Sequence, residues 1–338
     1  MNKLPVNGAE FVVGVDLGGT NVRASVIDKG EKVVGHARNH SDARNGGDAV
    51  VESTAHTILQ AVADAGIKPE QIGAVGMAVP GHIDTKSGVI RWSPNFGTTI
   101  DGVFHVFVDV PFTGPVSEKV GIATYMGNDA NVAALGEFRY GAGRDANDMV
   151  MFTLGTGIGS GVISDGKLII GSTGAASELG HQVIVAGGHR CGCGTFGCLE
   201  AYCGTYAIVN RALTAIENGK PSLLHDAIGS DRGTLTPKQI DDAAKAGDVA
   251  ALHVWEETGY YLGIGIGNAV NVFNPEKVVI GGGIRQATGL IDAARLSMQR
   301  HSIYSIRANV SIVEAELGDD AGVMGAAELA WRMAGASF

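Results

Sequence analysis

The sequence predicts an α/β protein of two similar halves, and two observations carry that expectation. Short β-branched apolar runs alternate with longer segments of helical spacing, the order that gives partly parallel sheets covered by helices. Each half also opens on an apolar strand that breaks at a glycine turn and then resumes, first around Asp16-Leu17-Gly18-Gly19-Thr20 and again around Gly155-Thr156-Gly157-Ile158-Gly159-Ser160-Gly161. A content of 51 Gly against 9 Pro, with no long Gly/Ser tract, assigns the excess to tight turns and close backbone approach rather than to linkers.

Taken in order, residues 11–15 and 22–27 flank the first turn as a β-hairpin. A third strand follows near 32–37. The helix expected over 47–65 has Val50, Ala55, Ile58, Leu59 and Val62 at helical spacing, and 72–79 forms the next strand. Residues 131–138 are helical in character, and the domain boundary is placed just ahead of them. Residues 149–154 and 162–163 flank the second glycine turn. Asp248 caps a long helix that runs to Asn274 and stops at Pro275, followed by the strand 278–280 and the turn 281–283. A last helix over 321–334 crosses back to the first half. The expected domains are an N-terminal lobe over 1–130 joined by a C-terminal helix within 321–338, and a C-terminal lobe over 131–320. Two such halves match a two-domain actin-like ATPase (ribonuclease-H-like) fold, with the nucleotide in the cleft between them.

Composition narrows the function classes. At 338 residues the chain exceeds the usual single domain, and 45% hydrophobic with 18% charged residues is ordinary for a soluble globular protein. The 25 Lys+Arg against 35 Asp+Glu give a net charge of -10 without any basic cluster, which argues against nucleic acid as a partner. Residues 1–8 are too polar for a secretory signal, and the apolar stretches elsewhere are broken well short of a membrane span. The expected location is cytoplasmic. Cys191, Cys193, Cys198 and Cys203 all fall in one short segment, which suggests a metal site in a reducing compartment rather than disulfide staples.

A triphosphate needs backbone N–H groups aimed at it, and glycine lets the chain approach closely. The turns holding Gly18, Gly19 and Thr20, and Gly155, Thr156 and Gly157, supply that chemistry, with Gly282 and Gly283 in a third turn after a strand. Asp16 adds a carboxylate for Mg2+, and Thr20 and Thr156 add hydroxyl donors. Either turn taken singly could be a plain hairpin; the pairing is what specifies a phosphate site. Two other glycine patterns are set aside. Residues 161–167 have P-loop spacing, but Leu168 stands where Ser or Thr must bind Mg2+. The repeat at 263–267 lies inside a helical stretch, where glycines serve close helix packing.

His181, Cys191, Cys193 and Cys198 offer one imidazole and three thiols, the donor set of a closed and therefore structural tetrahedral Zn2+ site. Reduced cysteines packed as small hydrophobes are the plainer alternative. Glu178 and Glu200 bracket this loop, and paired carboxylates suit the vicinal hydroxyls of a sugar, although either Glu could be a solvated charge. A zinc-bound His181 keeps its second ring nitrogen for a sugar oxygen. Cys203 reads as a buried free thiol. Asn128-Asp129 opens a helix, so a cap is the simple role, yet Asp129 can also be the catalytic base. Phosphoryl transfer has a loose transition state and asks mainly for an aligned hydroxyl and late proton removal.

These residues together resemble the ROK family of sugar kinases and sugar-responsive repressors. The resemblance runs from about Phe11 to the C-terminal helix, through the turn at 16–20, Pro80-Gly81-His82-Ile83-Asp84, Asn128-Asp129-Ala130, the loop 154–161 and the segment 178–200. It implies an ATP-dependent kinase acting on the 6-hydroxyl of a hexose, with Asp129 as the base. Asn128, Glu178, His181 and Glu200 would hold the sugar, Gly81 and Asn95 would help to line its pocket, and zinc would sit on His181, Cys191, Cys193 and Cys198. The cysteine spacing is similar to the glucokinase and N-acetylhexosamine kinase branch. Glucose leads, with N-acetylglucosamine and N-acetylmannosamine as alternatives and polyphosphate left open as a donor. The family likeness also implies a homodimer or homotetramer. The stretch 95–118 reads as longer and more irregular than the family pattern. Repressors of the family carry a helix-turn-helix ahead of the first turn, and with 15 residues before Asp16 the expectation is an enzyme rather than a regulator. An actin-like or chaperone-like ATPase would share the turns but has no use for the cysteine loop.

Overall fold

A computed structural model describes residues 9–219, 221–228 and 234–335. Residues 1–8, judged above too polar for a secretory signal, and residues 336–338 of the expected 321–338 segment lie outside these. The chain divides into two compact units. One runs to Arg144 and takes in Leu168–Ser177 and the chain from Asp319 onward; the other holds Asp145–Lys167 and Glu178–Gly318.

In chain order the first unit contains β1 (Phe11–Leu17), β2 (Asn21–Asp28), β3 (Val33–His40), α1 (Gly47–Asp64) and β4 (Ile72–Val79). It continues with β5 (His82–Asp84), β6 (Val89–Ile100), β7 (Val103–Pro111), α2 (Thr113–Val120), β8 (Thr124–Asn128) and α3 (Asp129–Tyr140). The main sheet has the order β3-β2-β1-β4-β8, with an antiparallel meander through β1, β2 and β3 and parallel pairing from β1 through β4 to β8. Its central strands are apolar on both sides because both faces are covered. Val13 and Val15 belong to the core shared with Val50, Ile58 and Val62 of α1, while Val12 and Ala74 pack with Ala327, Ala330 and Trp331 of the C-terminal helix (Ala321–Ala334). That helix lies nearly on the sheet backbone. A Cβ at Gly14 would stand 2.2 Å from the Val323 carbonyl oxygen, and one at Gly76 would stand 2.0 Å from that of Ala326.

Most of the stretch 95–118 lies in paired strands and a helix. β5, β6 and β7 form a separate antiparallel sheet, and α2 follows. The hairpin closes on Asp101 and Gly102, whose φ values of 50° and 79° suit the two-residue turn that matches strand twist. Its alternation is masked in the sequence because the register slips between Ser93 and Gly97.

The second unit contains β9 (Met149–Leu154), β10 (Ile158–Ser164), β11 (Lys167–Leu168, which ends one residue past the bound of this unit), α4 (Glu200–Cys203), α5 (Thr205–Glu217), α6 (Leu224–Ile228) and α7 (Pro237–Lys245). After α8 (Val249–Phe273) come β12 (Lys277–Gly281), α9 (Leu290–His301), α10 (Tyr304–Arg307) and β13 (Ser311–Glu314). The sheet order β11-β10-β9-β12-β13 repeats that of the first unit, again with two parallel strands after an antiparallel hairpin. The glycine turn expected over 155–161 shrinks to 155–157. Leu154 already pairs with Ile158, so Gly159 and Gly161 enter the ladder as strand residues. Helix α8 begins at Asp248, which accepts the Ala251 amide at 2.8 Å, and ends at Asn274 in the left-handed conformation just before Pro275. Gly263 packs it against α9, where a Cβ would stand 2.4 Å from the Ala294 carbonyl oxygen, as the glycine repeat implied. No helix among the described residues is long and apolar enough to cross a membrane.

Candidate active site

The parallel pairing brings three chain segments of the first unit to one sheet edge. Asp16 lies beside Ala78 and Val79 beside Asn128, so the glycine turn after β1, the Pro80-Gly81 turn after β4 and the head of α3 after β8 adjoin one another. Ligands of open α/β sheets bind at this carboxyl edge of the strands. The Gly18 amide closes the first turn on the Asn21 carbonyl at 2.9 Å. Gly19 and Thr20 are exposed, and among the described residues no acceptor meets their amides. Together they form an open concavity of the kind that receives anions. A pocket of about 460 Å³ surrounds this turn.

Asp16, expected to hold Mg2+, is paired with Arg23 at 2.7 Å, and Arg23 also donates to the Asp319 carbonyl. Sequence reasoning passed over Arg23. Counting back across the hairpin would have found it, because Asp16 and Arg23 are direct ladder partners. Asn128 caps α3, accepting the Ala130 and Asn131 amides at 3.0 and 3.2 Å, and its Nδ2 donates to the Gly81 carbonyl at 3.1 Å. Gly81 has a φ of 112°, and a Cβ there would stand 2.3 Å from the Trp92 carbonyl oxygen, so only glycine fits. Asp129 is exposed, with Oδ1 accepting the Ala130 amide at 2.8 Å. Exposed Asn95 belongs to the irregular part of β6, its Cβ 3.5 Å from where a Gly19 Cβ would stand.

In the second unit Gly281 pairs with Thr153, which sets the turns after β9 and β12 side by side. A Cβ on Gly282, whose φ is 86°, would stand 2.1 Å from the Leu154 carbonyl oxygen. Gly283 follows it, exposed. The Gly155 amide donates to the Gly157 carbonyl at 3.0 Å, which closes the second phosphate-type turn. Glu200, at the head of α4, accepts the Ile158 amide on Oε2 at 3.0 Å and the Cys191 thiol on Oε1 at 3.4 Å. Its carboxylate is therefore engaged rather than freely solvated. Glu178 is exposed and leads into the 3-10 turn Leu179–His181. A pocket of about 850 Å³ in this unit is bounded by Thr156, Cys191, Glu200, Tyr202 and Gly204.

One ligand atom each from His181, Cys191, Cys193 and Cys198 lies within 4.8 Å of all the others. The Cys193 and Cys198 sulfurs are 3.8 Å apart, and the Cys191 sulfur is 3.6 Å from His181 Nδ1. Zinc–sulfur bonds of about 2.3 Å place two sulfurs of a tetrahedral site ~3.8 Å apart, so the donor set and its spacing fit a closed zinc site. The Thr195 hydroxyl stands 3.2 Å from the Cys193 sulfur and 3.0 Å from that of Cys198. It pulls the exposed Cys193 thiol down to about 7, whereas burial pushes Cys191 up to about 12. Cys203 is buried away from the cluster, donates to the Thr258 carbonyl at 3.4 Å and is pushed up to about 12 by burial. The loop is seated on α8: Gln182 donates to the Gly265 carbonyl at 3.2 Å and accepts from Asn268 at 3.0 Å.

The family model described as "ROK family" matches residues 12–333. The chain belongs to the ROK family. It is 35% identical to a glucokinase of Thermotoga maritima over 94% of this chain and 96% of that protein. A solved structure of a ROK family glucokinase from Streptomyces griseus in complex with glucose and AMPPNP is 30% identical, covers 94% of this chain and 98% of its own, and superposes with a TM-score of 0.76. The DNA-binding transcriptional dual regulator NagC of Escherichia coli is 31% identical over 95% of this chain and 75% of its own length. The ROK chain described here thus has the two-domain actin-like ATPase fold, as its sequence predicted.

Proposed function

We propose that this ROK chain is an ATP-dependent hexokinase that transfers the γ-phosphoryl group to the 6-hydroxyl of a hexose, with glucose as the preferred acceptor. The observation that carries the proposal is the placement of exposed Asp129 at the same sheet edge as the open amides of Gly19 and Thr20. A kinase needs a proton acceptor beside a phosphate-binding turn, and the strand register that adjoins these residues supports that reading. The likeness to glucokinases over most of the chain supports the same reading.

In this scheme the amides of Gly19, Thr20, Thr156 and Gly157 receive phosphate oxygens, with Gly282 and Gly283 at the nucleotide. Asp16 would hold Mg2+, which neutralises charge on the transferring phosphoryl group. Asn128, Glu178, His181 and Glu200 orient the sugar hydroxyls, and Gly81 and Asn95 bound the sugar. Asp129 accepts the hydroxyl proton late in the transfer. His181, Cys191, Cys193 and Cys198 would hold a structural Zn2+ that fixes the loop between Glu178 and Glu200.

A coupled assay of ADP release over glucose, mannose, N-acetylglucosamine and N-acetylmannosamine tests the proposal. Hexose-dependent ADP release, fastest with glucose, is expected. The likeness to NagC supports a second reading, a sugar sensor without catalysis. Saturable sugar binding with no ADP release above the sugar-free rate would favour that sensor and reject the kinase.

A further inference from the structure

Three hydrogen bonds fasten the second phosphate-type turn to one short segment of the chain that follows the cysteine loop. The Gly155 carbonyl accepts both the Thr205 amide at 3.1 Å and the Thr205 hydroxyl at 2.9 Å. Two residues beyond the far end of that turn's first peptide, the Ile158 amide is taken by Glu200 Oε2 at 3.0 Å. Gly204 brings the segment close, since a Cβ on it would stand 3.0 Å from the Thr156 carbonyl oxygen.

This arrangement fixes the direction of one amide. In a planar trans peptide the C=O and the following N–H point opposite ways. Holding the Gly155 carbonyl against Thr205 therefore turns the Thr156 N–H away from α5. Among the described residues no acceptor meets the amides of Thr156 or Gly157, while those of Gly155 and Ile158 are occupied. The two open donors are the ones a phosphate group would need.

We infer that Thr205 is a positioning residue for the phosphoryl donor: its hydroxyl aims the Thr156 amide by holding the Gly155 carbonyl from behind. The inference rests on the kinase proposal. It adds that the segment from Glu200 to Thr205 serves both substrates, Glu200 toward the sugar and Thr205 toward the phosphates.

Thr205→Val removes the hydroxyl and keeps the shape and the backbone amide; Thr205→Ser keeps the hydroxyl. Isothermal titration with a nonhydrolysable ATP analogue and magnesium, with adenosine, and with glucose separates the roles. Loss of one hydrogen bond is worth about a 3- to 10-fold change in affinity. Thr205→Val is expected to weaken the ATP analogue by about that factor, to leave adenosine and glucose within twofold, and to be rescued by Thr205→Ser. Equal weakening of adenosine and the ATP analogue would show a general structural role and overturn the inference. So would unchanged affinity for the analogue in Thr205→Val when the wild type binds it and phosphorylates glucose. A wild-type chain that binds no ATP analogue would overturn the kinase proposal and this inference together.

Discussion

Asn128 and Gly81 are joined by one hydrogen bond across 47 residues, from the Asn128 amide nitrogen to the Gly81 carbonyl at 3.1 Å. The same side chain caps α3 through its oxygen. It therefore connects the start of α3 to the turn that follows β4. Asn128→Asp keeps the capping oxygen and loses the donor, whereas Asn128→Ala loses both. The expected outcome is a near-wild-type melting temperature with weakened glucose affinity for Asn128→Asp. Asn128→Ala should add a stability loss of about 0.5–2 kcal/mol. Equal melting temperatures for the two variants would show that the cap contributes nothing.

Asp129 is exposed at the head of α3, where its Oδ1 accepts the Ala130 amide at 2.8 Å. Asp129→Ala should fold as the wild type does and lose roughly two to four orders of magnitude in turnover, the usual contribution of a positioned acid or base. Turnover within tenfold of wild type would remove Asp129 from the role of base.

Zinc is expected at one ion per chain by metal analysis of the purified protein. Chelation, or Cys193→Ala, should weaken glucose binding more than binding of an ATP analogue, because the cluster lies in the segment between Glu178 and Glu200. Metal-free protein with unchanged glucose affinity would break the connection between the loop and the sugar.

In chelated protein the four thiols should separate by reactivity. A lowered thiol pKa raises the thiolate fraction at neutral pH, and thiolate is the form that alkylates. Cys193, exposed and pulled down to about 7 by Thr195, should label first with iodoacetamide at pH 7.5; Cys203, buried and pushed up to about 12, should stay unlabelled in the native state. Raising the pH from 6 to 8 should speed Cys193 labelling and then level off, as read by peptide mass spectrometry. Labelling of Cys203 at the rate of Cys193 would contradict the burial described.

Gly76→Ala tests the seat of the C-terminal helix on the sheet. Its Cβ would fall 2.0 Å from the Ala326 carbonyl oxygen, so the helix must shift. Overpacking of this kind costs about 1–3 kcal/mol, measurable as a lowered denaturation midpoint. An unchanged midpoint would mean that the helix does not rest where the structure puts it.

Local chemistry was enough for much of this protein. Apolar runs marked β1, β4 and β9, Asp248 and Pro275 bounded α8, and the cysteine spacing marked the cluster of His181 with Cys191, Cys193 and Cys198, because each of these signals acts over a few residues. The hairpin of β6 and β7 escaped although Asp101-Gly102 announced it, since a register slip at 93–97 broke the alternation that would have confirmed it. Arg23 and Thr205 escaped for a different reason. Their partners, Asp16 and the Gly155 carbonyl, are supplied by strand pairing and by the packing of α5 on a turn 50 residues away. The sequence determined which residue types are present and which short turns and helices they form. Only the tertiary structure decided which amides stay open and which carboxylates are already engaged, because a hydrogen bond is fixed by direction and distance between groups that the chain brings together from far apart.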